Sequence, residues 1–261
     1  WFASYKAGKC SMLKIENLRK SFGGVAATND VSIEFPRDSL CAVIGPNGAG
    51  KTTFFNLISG ALQPDSGRIL LDGQDIVGKS SAQIVHMGIG RAFQVAKLFK
   101  SLTVEQSLRG ALLSPLGKSS SLAGRFPLSV TRDRAYEVMD QLGLTPKANV
   151  ISGVLSHGDQ KLLDMALALV LSPKVLLLDE PVAGMGPEER EQMMDTVYGL
   201  WKNGGLTIVL IEHDMEIVFK VSQNIHVLSY GKVLAEGTPE QIRKNPVVIE
   251  AYLGSAKERA A

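Results

Sequence analysis

The sequence predicts an α/β fold with a parallel β-sheet at its centre. Two continuous apolar runs, VLLLDE at residues 175–180 and LTIVLIEHD at residues 206–214, are typical of strands buried on both faces of a sheet. Between them, residues 187–203 (PEEREQMMDTVYGLWKN) show helical periodicity and carry acidic residues in the first turn. Strand, helix and strand in this order predict a βαβ crossover, and therefore parallel strands.

The elements before and after this crossover differ in character. Residues 13–44 alternate short β-like runs (LKIENL, VSIEF and LCAVI) with turn residues, and GRILLDG predicts one more strand and turn. Residues 80–172 are predicted to be largely helical. A Ser/Gly/Pro-rich stretch at residues 114–129 interrupts them and predicts an exposed loop or insertion. After the crossover, IHVLSYGKVLAEG predicts a hairpin, which short helices follow.

Length and composition limit the classes of function. The 261 residues suffice for one large domain or two small ones with a sizeable core. A formal net charge of +2 argues against binding nucleic acid through bulk positive charge, although it leaves a local basic patch open. No apolar run reaches the length of a membrane span, because SPK interrupts the longest candidate after MALALVL. Cys10 and Cys41 are too few for a disulfide framework, which favours a reducing, cytosolic compartment.

A glycine-rich loop carries the strongest chemical signal. The stretch GPNGAGKT, from Gly45 to Thr52, fits the pattern G-x-x-x-x-G-K-[ST] in full and lies between a predicted strand and a predicted helix. Glycines let the backbone turn tightly and aim successive N–H groups at phosphate oxygens, and the helix N-terminus adds its positive dipole end. Lys51 can reach the β- and γ-phosphates, and the Thr52 hydroxyl can bind Mg²⁺. The alternative is a glycine-rich turn with an incidental lysine, which the flanking strand and helix disfavour.

Two carboxylates end the run VLLLDE. Asp179 and Glu180 would be costly at the end of a buried strand unless a cation or hydrogen bonds compensate them. Beside a phosphate-binding loop, Asp179 is placed to hold Mg²⁺, and Glu180 is placed to polarise an attacking water as a general base. The alternative for the pair alone is two solvated acids at a strand end.

Three further features are weak when each is taken singly. His213 follows a predicted strand and Gln94 lies in GRAFQVAKLF, so a surface or hydrogen-bonded role is the simpler interpretation of either one. In LSHGDQ, Ser156 is a good helix N-cap, and Asp159 lies three residues later, close to the capping-box spacing. Such a helix start can also complete a phosphate site with its N–H groups and the Ser156 hydroxyl. The four histidines show no metal-ligand spacing, so no structural metal is predicted.

The order of these motifs resembles the ATP-binding cassette (ABC) family. GPNGAGKTT, Gln94, LSHGDQ, VLLLDEP and His213 match the family's Walker A, Q-loop, signature, Walker B and H-loop, and the resemblance covers about residues 12–254. A narrower resemblance points to the cytoplasmic ATPase subunits of branched-chain amino-acid-type importers. It lies in SFGGVAATNDVS, GRAFQVAKLFKSLTV, DEPVAGMGPEE and AYLG. The urea-importer branch shares several of these stretches.

The resemblance implies a P-loop NTPase fold, with a RecA-like parallel-sheet core, an N-terminal antiparallel β-subdomain and a helical subdomain. A single ABC ATPase domain would span residues 12–254, with the helical subdomain inserted at about residues 88–170. Residues 1–11 would be a tag remnant or a disordered N-terminus, and residues 255–261 a tail.

The resemblance also implies ATP and Mg²⁺ as cofactors and assigns a role to each matching residue. Phe22 would stack on adenine, Gln94 would sense the metal and the attacking water, Glu180 would be the base, and His213 would contact the γ-phosphate. The predicted nucleotide-binding residues are Phe22, Gly45, Asn47, Gly48, Ala49, Gly50, Lys51, Thr52, Thr53, Ser156 and Gly158. The predicted catalytic residues are Glu180, His213, Gln94 and Lys51. The predicted Mg²⁺ ligands are Thr52, Gln94 and Asp179.

The signature and the loop after Walker B depart from the family pattern. Ser156 and Gly158 are retained, and they would bind the γ-phosphate of a nucleotide held mainly by a second subunit. The family's LSGGQ here reads LSHGD, so that His157 replaces a glycine and Asp159 replaces a glutamine. A negative charge at Asp159, near an anion, puts the strength of ATP-driven dimerisation in question. The D-loop carries Gly186 where the family commonly has aspartate, which puts communication between two sites in question.

The implied function is an ATPase subunit that energises import of an amino acid or a similar small solute. It would lie peripherally at the cytoplasmic face of the inner or plasma membrane. Its partners would be membrane permease subunits, a second ABC ATPase subunit (a copy or a paralogue) and, indirectly, an extracytoplasmic binding protein, with no nucleic acid. One alternative is a soluble ABC ATPase acting on nucleic acid or ribosomes, but the chain has no long coiled coil and only one nucleotide domain. Another is a nucleotide-binding regulator without turnover, against which Glu180 and His213 argue.

The segment around Gln94 predicts the permease contact. Its apolar side chains would form a groove that receives a short cytoplasmic helix of the permease. The alternative is a buried helix edge. The apolar residues of the segment are Phe93, Val95, Leu98 and Phe99, and its basic residues are Arg91, Lys97 and Lys100.

Overall fold

The computed structural model describes residues 11–94, 96, 98–113 and 128–257. Outside the described residues lie 1–10, Val95, Lys97, 114–127 and 258–261. Most of the predicted loop at 114–129 therefore stays a prediction, as do two of the predicted groove residues.

Strands and helices follow one another along the chain in an order typical of an α/β protein. The strands are β1 (Ser11–Phe22), β2 (Val25–Pro36), β3 (Leu40–Ile44), β4 (Ser66–Leu71), β5 (Gln74–Asp75), β6 (Ile89–Ala92), β7 (Val175–Asp179), β8 (Thr207–Ile211), β9 (Asn224–Ser229) and β10 (Lys232–Gly237). The helices are α1 (Lys51–Ile58), α2 (Ser81–Met87), α3 (Val104–Leu113), α4 (Leu128–Gln141), α5 (His157–Leu169), α6 (Pro187–Gly204), α7 (Met215–Val221), α8 (Pro239–Arg243) and α9 (Pro246–Lys257).

Two β-sheets form the framework. The larger has the strand order β10-β9-β3-β8-β7-β6, and all its neighbouring pairs are parallel except the hairpin of β9 and β10. The smaller has the order β2-β1-β4-β5 and is antiparallel throughout. The predicted α/β class, the parallel sheet and the antiparallel β-region are therefore confirmed.

The pleat of the large sheet assigns alternate residues to two hydrophobic layers. In β3, Leu40, Ala42 and Ile44 pack with the helices α3 to α7, whereas Cys41 and Val43 pack with α1 and the antiparallel sheet. Because both faces are covered, β3, β7 and β8 are buried at every position. The phosphate-loop motif follows β3 directly, so a strand fixed on both faces positions it. None of the helices that the structure describes is both long and apolar enough to cross a lipid bilayer.

The strand β6 is an exception within residues 80–172, whose other described elements are helices as predicted. Helix α2 ends at Met87, and Gly88 is its C-cap, with a φ of 112° that suits glycine. The next four residues pair in parallel with β7. Gly90 lets β6 approach α5, because a Cβ at Gly90 would lie 3.2 Å from the carbonyl oxygen of Ala168. A run as short as IGRA shows no periodicity that separates a strand from a helix. The predicted loop at 114–129 is also too long at its end, since α4 begins at Leu128.

Candidate functional site

The loop from β3 to α1 is held tightly at its ends and open in its middle. Gly45 and Gly50 lie against backbone, because a Cβ on either would be 2.1 Å from the carbonyl oxygen of Leu228 or Ala27, respectively. Gly48 has a φ of 81°, yet a Cβ there would meet no atom within 4 Å. The predicted ligands divide in the same way, since Asn47, Gly48 and Thr52 are exposed, Gly50 and Thr53 are half-buried, and Gly45, Ala49 and Lys51 are buried.

Lys51 folds back over this loop. Its Nζ donates to the carbonyl oxygens of Gly45 at 2.7 Å and Pro46 at 3.0 Å, and the residue is only 7% exposed. Burial holds the pKa of Lys51 below its ordinary value, and the carboxylates of Glu180 and Asp179 counteract this effect. The structure therefore brings the loop lysine and the two predicted carboxylates into one site.

The open middle of the loop, at Gly48, and its packed end, at Gly50, give a matched test of the glycine geometry. We expect Gly48→Ala to reduce the free energy of unfolding by about 1–3 kcal/mol, the strain of a left-handed backbone at a non-glycine residue. Gly50→Ala should lower the free energy of unfolding clearly more. Gly50 also has a left-handed φ, of 97°, and a Cβ there would in addition lie 2.1 Å from the carbonyl oxygen of Ala27. Urea unfolding of both variants without nucleotide measures the difference. Equal losses would mean that the loop end is not packed against β2 as described.

Asp179, at the end of β7, is buried and ion-paired. Its Oδ2 accepts from an Arg91 guanidinium nitrogen at 2.9 Å, and both side chains are nearly inaccessible to solvent. Arg91 also donates to Asn56 Oδ1 at 2.7 Å and to Ser59 Oγ at 3.0 Å, both at the end of α1. Arg91 was predicted to be a basic residue of a partner groove, and the structure corrects this prediction. A buried guanidinium that compensates a buried carboxylate is not available to a partner.

Glu180 is the point at which the predicted catalytic residues meet. The Nε2 atom of Gln94 donates to Glu180 Oε2 at 2.6 Å, and the Nε2 atom of His213 lies 2.5 Å from Glu180 Oε1. Glu180 itself has a φ of 51°, a left-handed conformation that is unusual for a non-glycine residue. Gln94 lies 86 positions from Glu180 in the chain and His213 lies 33 positions from it, yet both side chains contact the one carboxylate.

A second buried acid supports the histidine. Glu212 is 4% exposed, and its two oxygens accept from the backbone N–H groups of Val182 at 3.1 Å and His213 at 3.2 Å. Burial holds the pKa of Glu212 above its ordinary value, although these two hydrogen bonds lower it. Glu212 thereby ties His213, in the segment after β8, to Val182, in the segment after Glu180. Glu212 was not among the predicted site residues, although the sequence carries one signal for it, an acid directly between an apolar run and His213.

The LSHGDQ stretch begins α5 as predicted. Ser156 is the N-cap: its Oγ accepts from the Asp159 N–H at 3.2 Å and donates to the Asp159 carboxylate at 2.6 Å. The negative charge of Asp159 is compensated by Lys147, whose Nζ lies 2.5 Å from Asp159 Oδ1. Burial raises the pKa of Asp159, but the hydrogen bonds from Lys147 and Ser156 outweigh it and leave the pKa below its ordinary value. Gly158 faces open space, since a Cβ on it would meet nothing within 4 Å.

Not all predicted site residues come together in one chain. Phe22 ends β1 with 46% of its surface exposed, and the Lys20 ammonium lies 5.6 Å from its ring centre. Among the described residues, no hydrogen bond or ion pair joins Ser156 or Gly158 to the loop from Gly45 to Thr53. One chain thus presents two separate groups of predicted ligands: the phosphate loop with the Glu180 cluster, and the start of α5.

Comparison with protein families agrees with this arrangement. A family model described as "ABC transporter" matches residues 28–183, more than half of the chain. A second, described as "Branched-chain amino acid ATP-binding cassette transporter", matches residues 232–258.

Individual proteins and structures agree as well. The chain is 42% identical to the Escherichia coli K12 high-affinity branched-chain amino acid transport ATP-binding protein LivG, over 94% of this chain and 98% of LivG. It superposes on the ADP conformation of MJ1267, an ATP-binding cassette of an ABC transporter, with a TM-score of 0.83 and 32% identity, covering 94% of this chain and 100% of that one. It also superposes on the ATP-binding cassette MJ0796, solved as a dimer in a post-hydrolysis state with ADP and Pi. There the TM-score is 0.74 and the identity 25%, over 87% of this chain and 99% of that one.

The predicted resemblance is thereby confirmed, and the comparisons support a transport ATPase over one acting on nucleic acid or ribosomes. Since the family model covers more than half of the chain and LivG matches 94% of it, this chain belongs to the ABC transporter family, as one of its ATP-binding, ATP-hydrolysing subunits.

Proposed function

We propose that this chain hydrolyses ATP at Glu180 to energise import of branched-chain amino acids, or of a similar small solute, through a membrane transporter. The observation that carries the catalytic part is the placement of Glu180, whose two oxygens lie beside Gln94 and His213 and near the buried Lys51. The cargo is proposed from the similarity to LivG, whose name describes a branched-chain amino acid transport ATP-binding protein.

The phosphate loop fits the triphosphate of ATP. Its middle is open at Gly48, and the buried Lys51 ammonium offers a compensating charge that now rests on two carbonyl oxygens. A phosphate chain would replace these carbonyls as the partner of Lys51 and accept from the loop N–H groups. The exposed ring of Phe22 would stack on the adenine.

The donor set also fits Mg²⁺. Thr52, Gln94 and Asp179 offer a hydroxyl, an amide oxygen and a carboxylate, which are the hard oxygen ligands that Mg²⁺ prefers. When bound, Mg²⁺ would neutralise charge on the β- and γ-phosphates. Because Gln94 donates to Glu180 with its amide nitrogen, its amide oxygen is the atom that would face the cation.

Glu180 would act as the general base. Its carboxylate would accept a proton from a water that attacks the γ-phosphate. In the present structure Gln94 and His213 each contact one oxygen of this carboxylate, and each oxygen keeps a further lone pair that the attacking water can use. Gln94 would then orient the water, and His213 would contact the γ-phosphate.

A second cassette chain, either a copy or a paralogue, would complete the site. Ser156 and Gly158 lie apart from the phosphate loop of their own chain, and an exposed helix start with a serine hydroxyl is suited to an anion. The similarity to MJ0796, which was solved as a dimer, supports this pairing. The extracytoplasmic binding protein would act on the membrane subunits and not on this chain.

The permease contact is proposed at an apolar patch formed by Phe99, Ile151 and Val154. These side chains are 64%, 47% and 74% exposed. Their segments run side by side, since the N–H groups of Ser152 and Gly153 donate to the carbonyl oxygens of Leu102 and Lys100. Exposed apolar side chains on adjacent segments suit a docked helix, and this peripheral contact would hold the chain at the membrane.

Phe99→Asp tests the proposed docking. We expect the variant to lose binding to membranes that contain the permease subunits, and with it uptake of labelled leucine, because a charge would enter the apolar contact. Leu98 is unsuitable for this test, since it packs against the core. Val247→Asp, at a position 50% exposed on α9, is the matched control. Cosedimentation with the membranes measures binding. If Phe99→Asp and Val247→Asp both cosediment like the unaltered chain, the patch is not the docking surface.

A further inference from the structure

Lys161 is a buried cation on the helix that begins at Ser156. It lies in the second turn of α5 and is only 5% exposed. Its Nζ donates to the backbone carbonyl oxygen of Gln94 and, at 3.3 Å, to that of Glu180. Burying an ammonium group is costly unless its donors are satisfied, so these two carbonyls are what holds it in place.

Asp164, three residues further along the same helix, holds the neighbouring backbone group. Its Oδ2 accepts from the Phe93 N–H at 2.6 Å. Residues three apart lie on one face of a helix. Lys161 and Asp164 therefore bind the main chain of two successive residues, Gln94 and Phe93. Burial holds the pKa of Lys161 below its ordinary value, and the carboxylates of Asp164 and Glu212 are the main groups that raise it.

The hydrogen bond from Lys161 to the Glu180 carbonyl oxygen falls on a residue with an unfavourable backbone conformation. Glu180 has a φ of 51°, and its N–H donates to the carbonyl oxygen of Ile211 at 2.9 Å. A non-glycine residue keeps such a conformation only where its surroundings fix it. Lys161 therefore binds the main chain of both residues whose side chains meet, the amide of Gln94 and the carboxylate of Glu180.

We propose that Lys161 is a positioning residue for ATP hydrolysis: its ammonium holds the Gln94 and Glu180 backbones in the register that brings their side chains together. This inference rests on the proposed role of Glu180 as the base. Because Lys161 lies on α5, it also joins the site of hydrolysis to the helix whose start would bind the other chain's nucleotide. Lys161 reaches no substrate atom itself, so its effect falls on kcat and not on nucleotide affinity.

The test compares Lys161→Met with Lys161→Arg. Methionine keeps an unbranched apolar stem and removes the donors, whereas arginine restores donors and charge. We expect Lys161→Met to lower kcat by about 10–100-fold, since misplacement by about 1 Å can cost about 100-fold. The ATP affinity of the single chain should stay unchanged, and Lys161→Arg should recover a substantial part of kcat. Amide hydrogen exchange without nucleotide should be faster at Phe93 and Gln94 in Lys161→Met, and not in Lys161→Arg.

Lys220→Met is the control, because Lys220 is an exposed lysine that pairs with Glu191 on the surface. If Lys161→Met does not fold, Lys161→Gln takes its place, since its shorter side chain cannot span both carbonyls. The proposal is overturned if the neutral variant keeps kcat near that of the Lys220→Met control. It is also overturned if the loss lies wholly in ATP affinity, or if Lys161→Arg does not recover any kcat.

Glu180→Gln, assayed in parallel, separates the proposed base from the proposed positioning residue. If Glu180→Gln retains turnover, the assignment of Glu180 as the base is wrong. If Glu180→Gln is inactive while Lys161→Met is active, only the role proposed for Lys161 is rejected.

Discussion

Glu180→Gln will lower the rate of ATP hydrolysis by about 10²–10⁴-fold, the range typical for loss of a general base. The amide keeps the shape of the side chain and still offers an oxygen to Gln94, but it cannot accept the proton of the attacking water. Nucleotide affinity should be retained, because the phosphate loop and Lys51 are untouched. Steady-state phosphate release and equilibrium titration with an ATP analogue measure the two quantities on the same protein.

Glu191→Gln is a matched control, since Glu191 is an exposed acid that pairs with Lys220 on the surface. It should leave both hydrolysis and binding unchanged. Hydrolysis by Glu180→Gln within a few-fold of the unaltered chain would remove Glu180 from the role of base. The clustering of Gln94 and His213 on its carboxylate would then be a structural contact only.

Ser156→Arg should abolish the ATP-stabilised dimer while a single chain still binds nucleotide normally. The arginine would occupy the space in which the other chain's γ-phosphate must lie. It would also remove the N-cap bond to the Asp159 N–H, which typically costs about 1 kcal/mol and leaves most domains folded. The background is Glu180→Gln, in which hydrolysis cannot dissolve the dimer, with the paralogous cassette added if the chain does not pair with itself. Molecular mass in solution, with and without MgATP, is the measurement.

Two variants control for the loss of an N-cap and for the added bulk. Thr238→Arg removes a comparable N-cap on α8, where the Thr238 hydroxyl accepts from the Gln241 N–H, and should leave the dimer intact. Ser156→Ala removes the cap without adding bulk and should weaken the dimer less than Ser156→Arg does. If Ser156→Arg weakens nucleotide binding by the single chain as much as it weakens dimerisation, the assignment of Ser156 to a second chain is wrong. A change in melting temperature alone would reduce LSHGDQ to a helix cap.

The parts of the fold that the sequence predicted well are those that local pattern determines. Strand β7 covers the first five residues of VLLLDE, and α6 ends one residue beyond the predicted range. The phosphate loop lies between β3 and α1 as its motif requires, because glycine spacing and the flanking elements are properties of one short stretch. Ser156 caps α5 for the same reason.

The parts that the sequence could not predict depend on contacts between distant segments. Arg91 and Asp179 are 88 residues apart, and nothing local marks Arg91 as the partner of a buried carboxylate. Lys161 has the same character: in sequence it is one polar residue in an amphipathic helix, and only the pairing of β6 with β7 brings Gln94 within its reach. Sites made of such pairs become visible only when the chain has folded.

Whether hydrolysis needs two chains can be measured as ATP turnover per chain across a range of protein concentration. If Glu180 of one chain acts on a nucleotide that Ser156 of another chain completes, turnover per chain should rise as dilute chains associate, and should then level off. For a chain that pairs only with a paralogue, added paralogue should produce the same rise and plateau. Turnover per chain that stays constant, down to concentrations at which the molecular mass is that of one chain, would show that the site is complete within a single chain and would contradict the two-chain site.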